Sequence, residues 1–281
     1  MVQNGYKNEH IRVKKRGNKP KKENLARGAI TATDEDERTT RWPDATDGTS
    51  RPHLVNAYRF NDEGKKTSRV MKHTDDEKET IRFTMNKVSN EIMNGCMEFV
   101  DDTELEEHYT FIEIFNKDEC SADLGWVYPR YQNEMNLSPE GTDEGGPSCL
   151  DAHTIQHEWM HALGFEHEQT RPDRDDYITI DTDFIDDGML SQYEKLPDIT
   201  WMDTNSPFDV FSVMLYSGYG YQKGEHPMTS KLTGEPVAKP FRPRMSSEDA
   251  FQLAAMYSNF CPALPSRTCD NGDRYLGNFA W

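Results

Sequence analysis

Three histidines and three glutamates crowd into residues 157–168, His-Glu-Trp-Met-His-Ala-Leu-Gly-Phe-Glu-His-Glu. Residues four apart share one face of an α-helix, so His157 and His161 can aim two imidazole nitrogens at one point. That pairing suits a borderline cation such as Zn²⁺, which takes histidine nitrogen at about 2.0–2.1 Å and, in catalytic sites, keeps one position open for water. Glu158 sits next to His157 on the same helix. It is wrongly aimed for the third ligand but well placed to take a proton from a water activated by the metal.

A third ligand requires the chain to leave the helix. Gly164 allows this, because glycine accepts the left-handed backbone angle at which helices commonly end. The turn lets His167 reach the same ion. The string H-E-x-x-H-x-x-G-x-x-H is the metzincin zinc signature. An amphipathic helix with surface histidines would also show the first five positions, but it has no reason to carry all eleven.

The elements that hold these residues can be read from the hydrophobic pattern. Val55–Phe60 alternates apolar and polar residues, as a strand does. Asp75 opens a helix with Ile81, Met85, Val88 and Ile92 at helical spacing, and Gly95 ends it. Cys96–Val100 and Tyr109–Phe115 are two further strands, so the predicted unit is a twisted sheet with a helix packed across it. Residues 116–150 are expected to form a long loop region bounded by Cys120 and Cys149, with the Asn136-Leu137-Ser138 glycosylation sequon inside it. Asp151 is the expected cap of the zinc helix. Residues 168–210 look acidic and irregular. Ser246 and Asp249 fit a capping box ahead of a last helix that places Ala250, Leu253, Ala254 and Tyr257 on one face. The histidines outside the motif (His10, His53, His73, His108, His153 and His226) have no partner spacing and are expected on the surface or in the core; His153, one turn before His157, is the one to check.

The 281 residues carry a formal charge of −18, unevenly spread. Residues 1–28 hold nine Lys/Arg and two Asp/Glu, leaving 23 basic against 48 acidic residues in the rest. An acidic body argues against nucleic acid or an anionic membrane as partner. No stretch is long and apolar enough to span a membrane. Residues 1–27 are expected to be a basic leader or propeptide remnant without fixed structure. They lack the apolar core of a signal peptide. Cysteines at 96, 120, 149, 261 and 269 make an odd set, so at most two intramolecular pairs form.

Taken together these features resemble the astacin family of secreted zinc endopeptidases, over roughly residues 28–262. Glu168 directly after the third histidine, the run Gln169-Thr170-Arg171-Pro172-Asp173-Arg174-Asp175, and the distant Phe208-Asp209-Val210-Phe211-Ser212-Val213-Met214-Leu215-Tyr216 all match that family. The resemblance implies an α+β fold of two subdomains: a twisted N-terminal sheet with long helices, and a zinc cleft between the N- and C-terminal subdomains. Residues 263–281 would then be a C-terminal tail or the stub of a further module. It also implies one catalytic Zn²⁺ held by His157, His161 and His167. Met214 would be an apolar floor beneath them, and Tyr216 a phenol that ligates the resting ion and swings away on substrate binding. Leu215 stands where many members carry histidine, which should alter local packing and leave the chemistry intact. The implied disulfides are Cys96–Cys261 and Cys120–Cys149, worth about 5 and about 3–4 kcal/mol in the chain-entropy model. Cys269 is left over, available to a second chain or a further module. Paired cysteines imply an extracellular protein.

The expected reaction is peptide hydrolysis on a protein or peptide substrate. Glu158 shuttles the proton and Tyr216 stabilises the oxyanion. Phe241-Arg242-Pro243-Arg244 resembles the segment bordering the primed-side pocket in tolloid- and meprin-like members, where Arg242 would favour acidic residues just after the cut. A solvent-facing Arg242 is the other reading. Residues 1–33 contain no aspartate or cysteine to block zinc. Cleavage after Arg27 would leave an amino terminus at Gly28, and the resemblance implies that such a terminus is buried near Glu168. A catalytically inactive astacin fold serving as a binding protein is the rival, and the intact His157, Glu158, His161, His167 and Tyr216 speak against it.

Overall fold

In a computed structural model of the chain the described residues are 54–61, 71–93, 95–103, 111–125, 132–141, 148–196, 206–216, 226–237 and 244–257. The expectations for residues 1–27, Arg242, Cys261, Cys269 and the tail from 263 lie outside them.

Five strands form one sheet in the order β2-β1-β3-β5-β4: β1 Leu54–Phe60, β2 Met97–Asp101, β3 Phe111–Phe115, β4 Cys120–Ala122 and β5 Gln132–Leu137. All neighbours are parallel except β4, which runs antiparallel to β5 at the edge. Helix α1 (Asp75–Lys87) makes the crossover from β1 to β2 that parallel pairing demands. Its start is a capping box, in which the Thr74 hydroxyl accepts from Glu77 N–H and the Glu77 carboxylate accepts from Thr74 N–H. A wider π-type turn, Val88–Ile92, continues it, and Gly95 at φ 73° lets the chain reverse into β2.

Two of these strands correct the expectation of a loop over 116–150. β5 reads Gln-Asn-Glu-Met-Asn-Leu, with apolar residues only at Met135 and Leu137, because its other buried positions are amides that find partners inside the fold. Asn133 donates to the Gly125 carbonyl, and Asn136 donates to Ser121 Oγ at 2.9 Å. With Asn136 only 4 % exposed and Ser138 fully buried, the sequon has no room for a glycan in the folded chain.

The helices pack on the sheet around Trp159 of α2 (Ala152–Ala162). The indole meets Phe99 and Tyr58 edge-on, at centroid distances of 4.9 and 5.6 Å, the geometry that aromatic quadrupoles favour. Ile81 and Met85 from α1, and Ala250, Leu253 and Tyr257 from and just beyond α3 (Ser247–Met256), complete this core. All four face residues predicted for α3 are buried. The Tyr257 hydroxyl donates to Leu163 O at 2.8 Å, tying α3 to the exit of α2.

The acidic stretch after 168 is more ordered than its composition suggests. Short 3-10 turns at Glu168–Thr170, Arg174–Asp176, Thr182–Phe184 and Asp187–Tyr193 frame a small strand β6 (Ile178–Ile180), antiparallel to β7 (Met228–Ser230). Scattered apolar residues (Ile178, Ile185, Met189, Tyr193, Phe208 and Met228) gather there into a second, smaller core. Three-residue elements carry too little periodicity to show in a sequence. The two cores meet at residues 213–216. Val213 and Met214 belong to the first, Leu215 and Tyr216 to the second. Leu215 is thus ordinary apolar packing.

Cys120 of β4 is bonded to Cys149 at the approach to α2, closing a loop of 29 residues. Cys96 is also disulfide-bonded. Replacing Cys120 and Cys149 together by alanine should lower the unfolding free energy by about 3–4 kcal/mol in urea titrations; a loss below about 1 kcal/mol would mean that this bridge does not anchor the edge strand to the helix.

Candidate metal centre

Asp151 starts the helix that carries two of the three histidines. Its carboxylate accepts from the backbone N–H of His153 and Thr154 and from the Thr154 hydroxyl, satisfying donors that a helix start leaves unpaired. At the other end Gly164 adopts φ 103°, and Phe165 N–H turns back to Met160 O at 2.9 Å. A residue with a Cβ would be strained at that angle. Phe165 enters the core and His167 is delivered to the side of α2 that holds His157 and His161.

The three Nε2 atoms converge. His161 and His157 are 3.0 Å apart, His161 and His167 3.2 Å, His167 and His157 3.3 Å. Tetrahedral ligands at about 2.0–2.1 Å from Zn²⁺ would stand roughly 3.3–3.4 Å apart, so the cluster has the right size for one ion. All three rings are buried, and among the described residues this is the group of His, Cys, Asp and Glu side chains able to hold a metal.

The other ring nitrogens settle which atoms of His157 and His161 face the centre of the cluster. His157 Nδ1 lies 2.7 Å from Val213 O, and His161 Nδ1 lies 2.5 Å from Phe165 O. A carbonyl only accepts, so both Nδ1 atoms carry the hydrogen and both Nε2 atoms present lone pairs. This is the outer support that metal-binding histidines require. Glu158, one position along α2 from His157, is fully buried. His153 stacks on His157 at a centroid distance of 6.3 Å and stands outside the three-ligand group.

Tyr216 stands against the third histidine, its ring 4.2 Å from that of His167, with Tyr193 edge-on at 5.7 Å. Its backbone N–H donates to Gln169 Oε1 at 3.1 Å. Met214 is buried in the main core, and its carbonyl accepts from Glu168 N–H at 3.0 Å.

Glu168 does not turn toward the histidines. Its Oε1 accepts from Arg171 Nη1 at 2.7 Å and from Asp209 N–H at 2.7 Å. Burial pushes its carboxyl up to about 7, against the pull of Arg171 and that N–H. The guanidinium of Arg171 is satisfied on all sides, by Glu168, by Asp173 and by the carbonyls of Ser206 and Pro207. Glu166 is also pushed up to about 7 by burial. Asp249, in the first turn of α3, is raised above the usual carboxylate range by burial and by neighbouring Asp209, opposed by donors from Ser212, Val213 and Ser246.

Several of these supports carry no signal in the sequence. The Val213 carbonyl is backbone, and Gln169 follows the zinc motif with nothing to single it out. Asp249 is visible as a capping residue, but its reach to residues 212 and 213 is a tertiary fact.

Comparison with known proteins agrees with this geometry. The family model for the astacin peptidases matches residues 67–258. Meprin A subunit beta of Rattus norvegicus is 35% identical over 154 residues, covering 54% of this chain and 20% of the relative. Zinc metalloproteinase nas-15 of Caenorhabditis elegans is 36% identical over 158 residues, covering 55% and 27%. The match therefore spans about a fifth to a quarter of these relatives' own length. Among solved structures, high choriolytic enzyme 1, a hatching enzyme zinc-protease from Oryzias latipes, superposes with a TM-score of 0.64 at 27% identity, covering 82% of this chain and 99% of that one. With a fold of that shape, a histidine triad sized for one ion and a family match over most of its length, the chain belongs to the astacin family of metallopeptidases.

Proposed function

We propose that the chain is a secreted zinc endopeptidase whose catalytic domain spans residues 28–262, and that His157, His161 and His167 hold the ion. The observation that carries this reading is the convergence of three buried Nε2 atoms, 3.0–3.3 Å apart, two of them from the helix that also bears Glu158 and the third from His167 beyond its glycine turn. Zinc, when bound, supplies the Lewis acidity that lowers the pKa of a water from about 15.7 toward 7 and draws charge from a carbonyl oxygen.

The protein's own side chains do the rest. The Glu158 carboxylate accepts the proton lost by the attacking water and passes it to the leaving amine, so no serine or cysteine nucleophile is needed. The Tyr216 hydroxyl, on a ring packed against His167, donates to the oxyanion that develops on the scissile carbonyl. Met214 contributes an apolar base to the site from the main core. Burial of the histidines and of Glu158 keeps bulk water from competing for these bonds. The Cys120–Cys149 bridge and the bonded Cys96 support export to an oxidising compartment. No helix among the described residues is long and apolar enough to cross a membrane.

Arg242, which lies outside the described residues, is proposed to favour Asp or Glu directly after the scissile bond. The support is the likeness of its local sequence to that of meprin-like members.

Two measurements test this reading. Glu158→Gln should retain one zinc per chain and lose turnover by about 10²–10⁴-fold on a fluorogenic peptide; a variant with near-parental turnover would remove Glu158 from its role. In a peptide-library digest, Arg242→Ala should lose an enrichment of acidic residues after the cut. A profile unchanged by the substitution would dispose of the arginine.

A further inference from the structure

We infer that Asp249 is a positioning residue for the metal ligand His157, acting through Ser212 and the Val213–Met214 peptide. The inference rests on the metal-site reading above. The hydrogen bonds form one continuous chain. His157 Nδ1 donates to Val213 O at 2.7 Å. The N–H at the other end of that same peptide, on Met214, donates to Ser212 Oγ at 2.9 Å. The Ser212 hydroxyl donates in turn to Asp249 Oδ1 at 2.6 Å.

Every donor in the series points from the imidazole toward the carboxylate. A peptide whose N–H donates toward a negative group has a more negative carbonyl oxygen, and so accepts more strongly at its other end. A stronger acceptor at Nδ1 makes the ring a better base at Nε2, as in carboxylate–histidine–metal arrangements. Here a hydroxyl and a peptide stand between the carboxylate and the ring. His157, Ser212, Val213, Met214 and Asp249 are all buried, so water does not compete along the path.

The carboxylate is itself fixed. Asp249 Oδ2 accepts from Val213 N–H at 2.9 Å and from Ser246 N–H at 2.8 Å, the latter being half of the capping box that begins α3. The start of a helix favours a negative charge. The last helix thus aims a fixed carboxyl group at the turn that orients His157. A purely structural cap would need neither the Ser212 bond nor the bond to Val213.

The test is zinc affinity of the full chain at pH 8, by competition with a chromophoric chelator, with the visible spectrum of the Co²⁺-loaded protein as a second readout. Ser212→Ala cuts the chain at the hydroxyl, and Asp249→Asn removes the charge. Each should weaken zinc binding by roughly tenfold or more and shift the Co²⁺ bands, with near-ultraviolet circular dichroism showing a folded chain. Tyr257→Phe, which loosens α3 without touching the relay, should bind zinc as the parent does. Folded Ser212→Ala or Asp249→Asn protein with parental affinity and spectrum overturns the inference, as does an equal loss in Tyr257→Phe. Either relay substitution alone decides the matter should the other fail to fold. A parent chain that takes up no zinc overturns the metal-site reading as well, and is told apart from these outcomes by that fact.

Discussion

Two imidazole lone pairs aimed at one point repel, yet this molecule holds them, with a third ring nitrogen from His167, within 3.3 Å of one another. The means are backbone carbonyls. Val213 O and Phe165 O each take an Nδ1 hydrogen, fixing both the tautomer and the ring angle of His157 and His161. Free rotation about the side-chain bonds would scatter the rings and dissolve the site. A shared cation turns the remaining repulsion into three bonds, which is why the arrangement makes physical sense as a metal centre and little sense as anything else.

Those carbonyls are only as well placed as the segments that carry them. Phe165 is set by the left-handed turn at Gly164 and by its own burial. Val213 lies in a stretch bound on both sides. Asp249 and Ser212 hold it to the main core, while Glu168 ties it to the far side through its N–H to Met214 O and its carboxylate to Asp209 N–H. The buried Glu168–Arg171 pair adds little net stability once desolvation is counted. Its consequence is geometric, because Arg171 also takes the carbonyls of Ser206 and Pro207 and so allows one path for the chain into the 208–216 segment.

The sequence revealed these parts unequally, for physical reasons. The histidine string was legible because a helix of fixed pitch and one glycine turn convert spacing directly into position. Strands β1 to β3 and helices α1 and α3 were legible because each buries one face at a regular period, and the Ser246–Asp249 capping box marks the start of α3. Strand β5 was hidden by Asn133 and Asn136, buried polar residues whose partners come from 8 and 15 residues away. The same burial removed the sequon at Asn136 from the surface. Strands β6 and β7 were hidden by their length of three residues each. The supports of the site were least visible of all, since Val213 acts through its backbone and Asp249 is 36 residues from the peptide it holds.

Zinc K-edge X-ray absorption on the metal-loaded full chain tests the central claim most directly. The account predicts one zinc per chain with three imidazole nitrogens at about 2.0–2.1 Å and no sulfur in the shell. A chain that retains no zinc, or a spectrum without three imidazole scatterers, would contradict it.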